Sequence, residues 1–207
     1  MNLTIVREER HLMETKELIL KNALDMFAKS GYDSVSIRDI ACKVDIKESS
    51  IYYHFKNKQD ILDSLVVRYE DYIKELTGML EISMSGLGRQ DTISWDWLKM
   101  YYFEKYLFDP FCNQMLRLLM IEQFHNDNIR ILYQNYLFDL PKKIQTESFR
   151  MLSQLGILSE KLAGQIANGF FANISVLTFK YLLSGELTQE KKDLFCKEAF
   201  ACMNELF

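Results

Sequence analysis

The segment from Ser36 to Lys58 constrains the fold more tightly than any other. Ile37, Ile40, Ala41 and Val44 repeat at helical spacing, and Ile51 and Phe55 resume that spacing after a break of three or four residues around Asp45. A short helix, a tight turn and a second short helix make a helix-turn-helix. The exposed side of the second helix is expected to carry Lys47, Glu48, Ser49, Tyr53 and His54, with Lys58 just beyond. Hydroxyls, aromatic hydroxyls and cations together suit a helix that enters a major groove while its flanks grip phosphates.

The surrounding chain reads as helical throughout. Only 8 Gly and 2 Pro occur in 207 residues, and no Val/Thr-rich alternation suggests strands. The predicted class is all-α, with an N-terminal helix-turn-helix domain and a larger C-terminal helical domain. Residues 1–13 read as an N-terminal arm or a frayed extension of the first helix, in which Arg7, Arg10 and His11 are candidates to touch phosphates. Residues 14–58 form the helix-turn-helix domain, 59–80 a connecting helix, and 81–207 the larger C-terminal helical domain. Gly31 is placed to end the first helix. Ser36 with Asp39, and Asn57 with Asp60, are placed to cap the next ones. Asp45 and Glu48 could form a further capping box. Residues 83–92 read as a loop. Pro110 is placed to open a helix, Pro141 to open or kink one, and Ser159 and Thr188 to cap the last two.

Charge narrows the function. The net charge is −4, yet residues 1–60 balance ten Lys/Arg against ten Asp/Glu, so the acidity lies C-terminal to them. The local excess within 36–58 is small: Arg38, Lys43, Lys47, Lys56 and Lys58 against Asp39, Asp45 and Glu48. One such unit should bind DNA weakly, so binding should need two. No unbroken run of about 18 apolar residues and no secretory pattern at the N-terminus is present, and a cytoplasmic location without membrane insertion is expected. The four cysteines, Cys42, Cys112, Cys196 and Cys202, are scattered and read as reduced thiols. Glu122 and His125 stand three apart, but a di-metal bundle needs two such pairs. No phosphate-binding loop, nucleophile elbow or Cys-His pairing occurs, so neither a metal, a cofactor nor an enzyme is expected.

The run Ile19, Ala23, Phe27, Gly31, Tyr32, Val35, Ser36, Ile40, Ala41, Val44, Ile46, Ile51, Tyr52, His54, Phe55, Lys58 and Leu62 resembles the DNA-binding domain of the TetR family of bacterial transcriptional regulators. The resemblance covers about residues 14–66. It implies a dimeric regulator, most simply a repressor, that reads a near-palindromic operator and responds to a small molecule. It also implies phosphate contacts for Ser36, Tyr52, Tyr53, His54 and Lys58. Lys47, Glu48, Ser49 and Ser50 are then the candidates for base edges. Asp45, where the family prefers Gly, and Glu48 depart from the pattern. They leave an adaptor working through a protein partner as the alternative.

The C-terminal domain is read from its aromatic and Met-rich segment and its last two helices. Trp97, Tyr101, Phe124, Tyr133, Phe170 and Phe171 are candidates to line a pocket for an apolar or aromatic effector. Ile166, Phe170, Ile174, Phe195 and Phe200 lie on wide apolar faces and are candidates for a two-fold homodimer interface.

Overall fold

The computed structural model describes residues 3–85, 98–154, 156 and 159–206. The described residues are helical apart from short turns. The chain divides into two compact units, Met1–Ile73 and Lys74–Phe207. The boundary falls inside a helix, seven residues before the expected end of the connecting helix at residue 80.

In the first unit, α1 spans Leu3–Ser30, α2 Ile37–Val44 and α3 Glu48–His54, and α4 begins at Lys58 and runs to Ser85. Helix α1 starts well before residue 14. No Gly or Pro interrupts Leu3–Ser30, so nothing in that stretch stops the helix. Gly31 ends it at φ 81°, where its N–H donates to the Phe27 carbonyl. Ile19, Ala23 and Phe27 of α1, Ile40 and Ala41 of α2, Ile51 of α3 and Ile61 and Leu65 of α4 are buried together. These short helices persist because each surrenders an apolar stripe to that shared core.

The second unit contains α5 (Pro110–Glu122), α6 (Asp127–Gln134), α7 (Leu140–Gln154), α8 (Glu160–Leu177) and α9 (Gln189–Leu206). Local chemistry starts these helices where the sequence suggests. Pro110 opens α5 behind Asp109, whose carboxylate accepts the Cys112 N–H at 2.9 Å. Pro141 lies in the first turn of α7. Ser159 caps α8, and the Thr188 hydroxyl accepts the Lys191 N–H at the start of α9. Gly185, at φ 108°, ends the helical run that α8 begins. Of the expected loop at 83–92, residues 83–85 form the end of α4 instead, and 86–92 lie outside the described residues.

Three stretches have wider, π-helical turns: Leu98–Leu107, Asn135–Asp139 and Thr178–Leu182. Side chains tie their loosened backbones together. Tyr106 donates its hydroxyl to the Tyr136 carbonyl. The buried Asn113 amide donates to the carbonyls of Leu107 (3.4 Å) and Leu182 (3.1 Å). Phe195 packs edge-on against Phe103 and Phe108, with ring centres 5.0 and 5.5 Å apart.

Among the described residues, Glu160–Leu182 is the stretch long and apolar enough to suit a bilayer, with mean hydropathy 1.2. It was not apparent as an unbroken apolar run. Its apolar stripe of Ile166, Phe170 and Ile174 is buried in the second unit's own core.

Candidate nucleic-acid interface

The helix-turn-helix is built from its caps inward. Ser36 has extended backbone (φ −97°, ψ 163°) and accepts the Asp39 N–H, while Asp39 accepts the Ser36 N–H at 2.8 Å. This closes a reciprocal capping box. The Ser36 hydroxyl also donates to Asp39, at 2.6 Å. These bonds hold the Asp39 carboxyl below its ordinary pKa, the side-chain bond from Ser36 contributing most. Ser36→Ala is expected to cost about 1 kcal/mol of stability, read as a lower urea midpoint.

At the other end of α2, Asp45 adopts the left-handed conformation (φ 59°, ψ 46°). Its N–H donates to the Cys42 carbonyl, and the Ile46 N–H reaches back to Ala41 at 3.0 Å. That pair of bonds is a Schellman closure with Asp in the place glycine usually takes. The Asp45–Glu48 capping box does not form. Asp45 is used to end α2, and α3 begins behind Lys47 with no side-chain cap. Asn57 accepts the Asp60 N–H at 2.9 Å, but Asp60 returns its carboxylate to the Lys56 N–H, one residue earlier than expected.

Ile51 and Phe55, 0% and 2% exposed, fix α3 to the core. The opposite side faces solvent. Lys47, Glu48 and Ser49 are exposed and Ser50 is half-buried. Tyr52 and Tyr53 are 54% and 72% exposed, so neither is a core residue. Ser49, Ser50, Tyr53 and His54 line an open groove of about 430 Å³ with Leu12, Thr15 and Ile46. Arg7, Arg10 and His11 belong to the helical backbone of α1.

His54 is half-buried at the groove, with its ring 5.3 Å from Tyr53. Burial, and then the Lys16 ammonium, lower its pKa below the ordinary histidine value. The unfolded chain therefore takes up this proton first as pH falls. His54's contribution to stability is complete above the unfolded value, near 6.5. It declines below that value and levels off beneath the folded one. Urea midpoints measured from pH 7.5 to 5 should fall, and His54→Gln should flatten that part of the curve.

Two expected phosphate ligands have other partners. The Lys58 ammonium donates to the carbonyls of Tyr32 and Val35, both at 2.9 Å, and sits 4.0 Å from the centre of the Tyr32 ring. It pins the loop between α1 and α2. The Ser36 hydroxyl and N–H are likewise directed at Asp39. In this arrangement Ser36 and Lys58 position the motif, and Tyr52 and Tyr53 are the exposed neutral donors.

In the second unit, the pocket candidates are dispersed. Trp97 lies outside the described residues. Phe124 is 82% exposed, Phe170 packs in the core against Phe149, and Tyr133 packs against Phe138. Tyr101 and Phe171 are half-buried. A cleft of about 200 Å³ lies instead between Leu80 and Glu81 of α4 and Ile144, Glu147, Arg150 and Met151 of α7. The dimer candidates need the same correction. Ile166, Phe170, Ile174 and Phe195 are buried within this single chain, and Phe200 is half-buried beside Phe103. Their apolar faces are consumed by the internal core. Leu162, Val176 and Leu194 remain exposed on α8 and α9.

Glu122 is buried, whereas the His125 side chain is 64% exposed, and the Nδ1 to Oε2 distance of 3.9 Å is too long for a hydrogen bond. Among the described residues, no group of three or more His, Cys, Asp or Glu side chains is placed to hold a metal ion.

An exposed α3 held by buried Ile51 and Phe55, in a chain that also carries a larger helical unit, defines a helix-turn-helix protein with a helical C-terminal domain. Residues 19–65 match the family model of the tetR family of bacterial regulatory proteins. In sequence it is 34% identical over 94 residues to the biofilm operon icaADBC HTH-type negative transcriptional regulator IcaR of Staphylococcus aureus. It is 33% identical over 94 residues to the IcaR of Staphylococcus epidermidis. Each match covers 45% of this chain and 46% of the relative, so the chain spans about half the length of the relatives it matches. In fold it resembles a transcriptional regulator from Saccharomonospora viridis in complex with choline, with TM-score 0.65, 21% identity and coverage of 93% of this chain and 96% of that one. A regulator from Aquifex aeolicus gives TM-score 0.59 at 17% identity, covering 93% and 99% of the two chains.

Proposed function

We propose that the protein is a cytoplasmic transcriptional repressor that binds a near-palindromic operator as a homodimer and is released by a small-molecule effector. The observation that carries this reading is the solvent face of α3. Lys47, Glu48, Ser49 and Ser50 stand at its leading end, and Tyr52 and Tyr53 flank them. In a major groove, Lys47 would donate to guanine, Glu48 accept from cytosine, and the serines serve either role. The tyrosines would donate to phosphates, with His54 a neutral donor beside them. Leu162 and Val176 of α8 and Leu194 of α9 are the apolar surface available for a second copy.

The effector would act by binding more tightly to the state whose two heads are wrongly spaced for DNA. The choline complex of the Saccharomonospora viridis structure and the γ-butyrolactone receptor, similar at TM-score 0.57, support a small-molecule site in the second unit. The deciding experiment is a salt titration of binding to the DNA upstream of the protein's own gene, with mixed DNA as competitor. Specific binding whose affinity falls steeply with salt is expected. Lys47→Ala should cost about 1–3 kcal/mol of specific binding and relax the sequence preference at the guanine it meets. Equal binding to both DNAs, or none, would sink the reading. That result would instead favour an adaptor with a protein partner, which the exposed Glu48 carboxylate and the internal pairing of Lys58 support.

A further inference from the structure

The cleft between α4 and α7 carries charges that the fold leaves unmatched. It is open to solvent and holds about 200 Å³. Part of its lining is apolar: Leu80 of α4 is 8% exposed, and Ile144 and Met151 of α7 are half-buried. The rest is charged. Glu81 of α4 and Glu147 and Arg150 of α7 line the same cleft, and all three are exposed.

Among the described residues, none of these three charged groups takes part in an ion pair or a hydrogen bond. Other exposed charges of the second unit do find partners. Lys180 holds Glu198 at 3.0 Å, and Arg130 holds Asp127 at 2.8 Å. Glu147 and Arg150 stand three residues apart on α7, as Asp127 and Arg130 do on α6. At that spacing their Cβ atoms are about 5–6 Å apart, close enough to pair. They stay apart, so one helical turn presents an open carboxylate beside an open guanidinium. Glu81 adds a second carboxylate from the facing helix.

We infer that this cleft binds a small amino-carboxylate with an apolar side chain. The ligand's ammonium meets Glu81 and Glu147, its carboxylate meets Arg150, and its side chain lies on Leu80, Ile144 and Met151. The charge set selects this class. An amine alone leaves Arg150 unmatched, and an acid alone leaves both carboxylates unmatched. An uncharged apolar ligand would desolvate all three charges and pair none. The planar guanidinium of Arg150 suits a carboxylate, which it can take with two parallel hydrogen bonds. The cleft is also smaller than pockets for drug-sized molecules, which run to about 300–1,000 Å³. This inference rests on the second unit being an effector domain.

The test uses the full chain and three probes with a common branched body: L-leucine, 4-methylpentanoate and 3-methylbutylamine, each titrated by calorimetry. One exposed ion pair is worth up to about fivefold in affinity, so L-leucine is expected to bind about threefold or more tighter than either singly charged probe. Arg150→Met should weaken L-leucine and 4-methylpentanoate by about threefold and should not weaken 3-methylbutylamine. Replacing both Glu81 and Glu147 by Gln should weaken L-leucine and 3-methylbutylamine and should not weaken 4-methylpentanoate. The three side chains are exposed, so urea midpoints should stay near that of the wild type. L-Leucine binding that is absent, or no tighter than that of either other probe, would overturn the proposal. So would variants that leave L-leucine binding unchanged or that weaken all three probes alike. If a variant does not fold, the three probes on the wild type still decide. Operator binding without probes is measured in parallel. Its failure would refute the regulator reading and leave the calorimetric result standing. Intact operator binding without L-leucine binding would overturn this inference alone.

Discussion

Replacing both Tyr52 and Tyr53 by Phe is expected to weaken operator binding by a hundredfold or more while leaving the fold unchanged. In the proposed complex each hydroxyl donates to a phosphate, and a hydrogen bond to a charged acceptor contributes about 1.5–3 kcal/mol, roughly tenfold or more in affinity. The side chains are 54% and 72% exposed, so losing the hydroxyls removes no buried contact. The urea midpoint should stay within error of the wild type. The slope of log K against log salt should also stay constant, because the phenols are neutral and displace no counterion. Gel-shift titrations of both single variants and the double variant, at several salt concentrations, measure this. Unchanged affinity in the double variant would remove the tyrosines from the interface.

The complementary result concerns Phe55. Phe55→Ala is expected to destabilise the N-terminal unit by about 3–5 kcal/mol and to abolish DNA binding. Phe55 is 2% exposed and anchors the C-terminal end of α3, with the Lys16 ammonium 5.5 Å from its ring centre. A loss of that size is a large share of the stability of a typical domain. The urea midpoint of the variant, alongside its gel shift, tests this directly. A variant with wild-type stability but no binding would instead make Phe55 a contact residue, which its burial argues against.

Tyr52, Tyr53 and Phe55 mark what was legible in the sequence. Phe55 falls on the apolar period that starts at Ile51, and that period alone separates a buried anchor from the exposed tyrosines next to it. Caps were legible for the same reason. Gly31, Ser36 with Asp39, Ser159 and Thr188 act on backbone groups within a few residues of themselves. The Lys58 and dimer-face assignments depend on distant parts of the chain, whereas the absent Asp45–Glu48 capping box is a local miss. The resemblance implies a phosphate contact for Lys58, but its ammonium is held by carbonyls 23 and 26 residues away. Ile166, Phe170, Ile174 and Phe195 read as surplus apolar surface, because a stripe does not reveal what covers it. Phe149, Phe103 and Phe108 cover part of it from within the same chain. The π-helical stretches leave no mark in a pattern sampled at 3.6 residues per turn.

The pairing of Lys58 with two backbone carbonyls has a consequence for the conditions under which this protein can hold DNA. With that cation turned inward, fewer fixed charges remain to exchange with the ion atmosphere of the duplex. Under the proposed repressor reading, operator affinity should fall with rising potassium, but less steeply than that of a domain of the same size that grips DNA mainly through lysines.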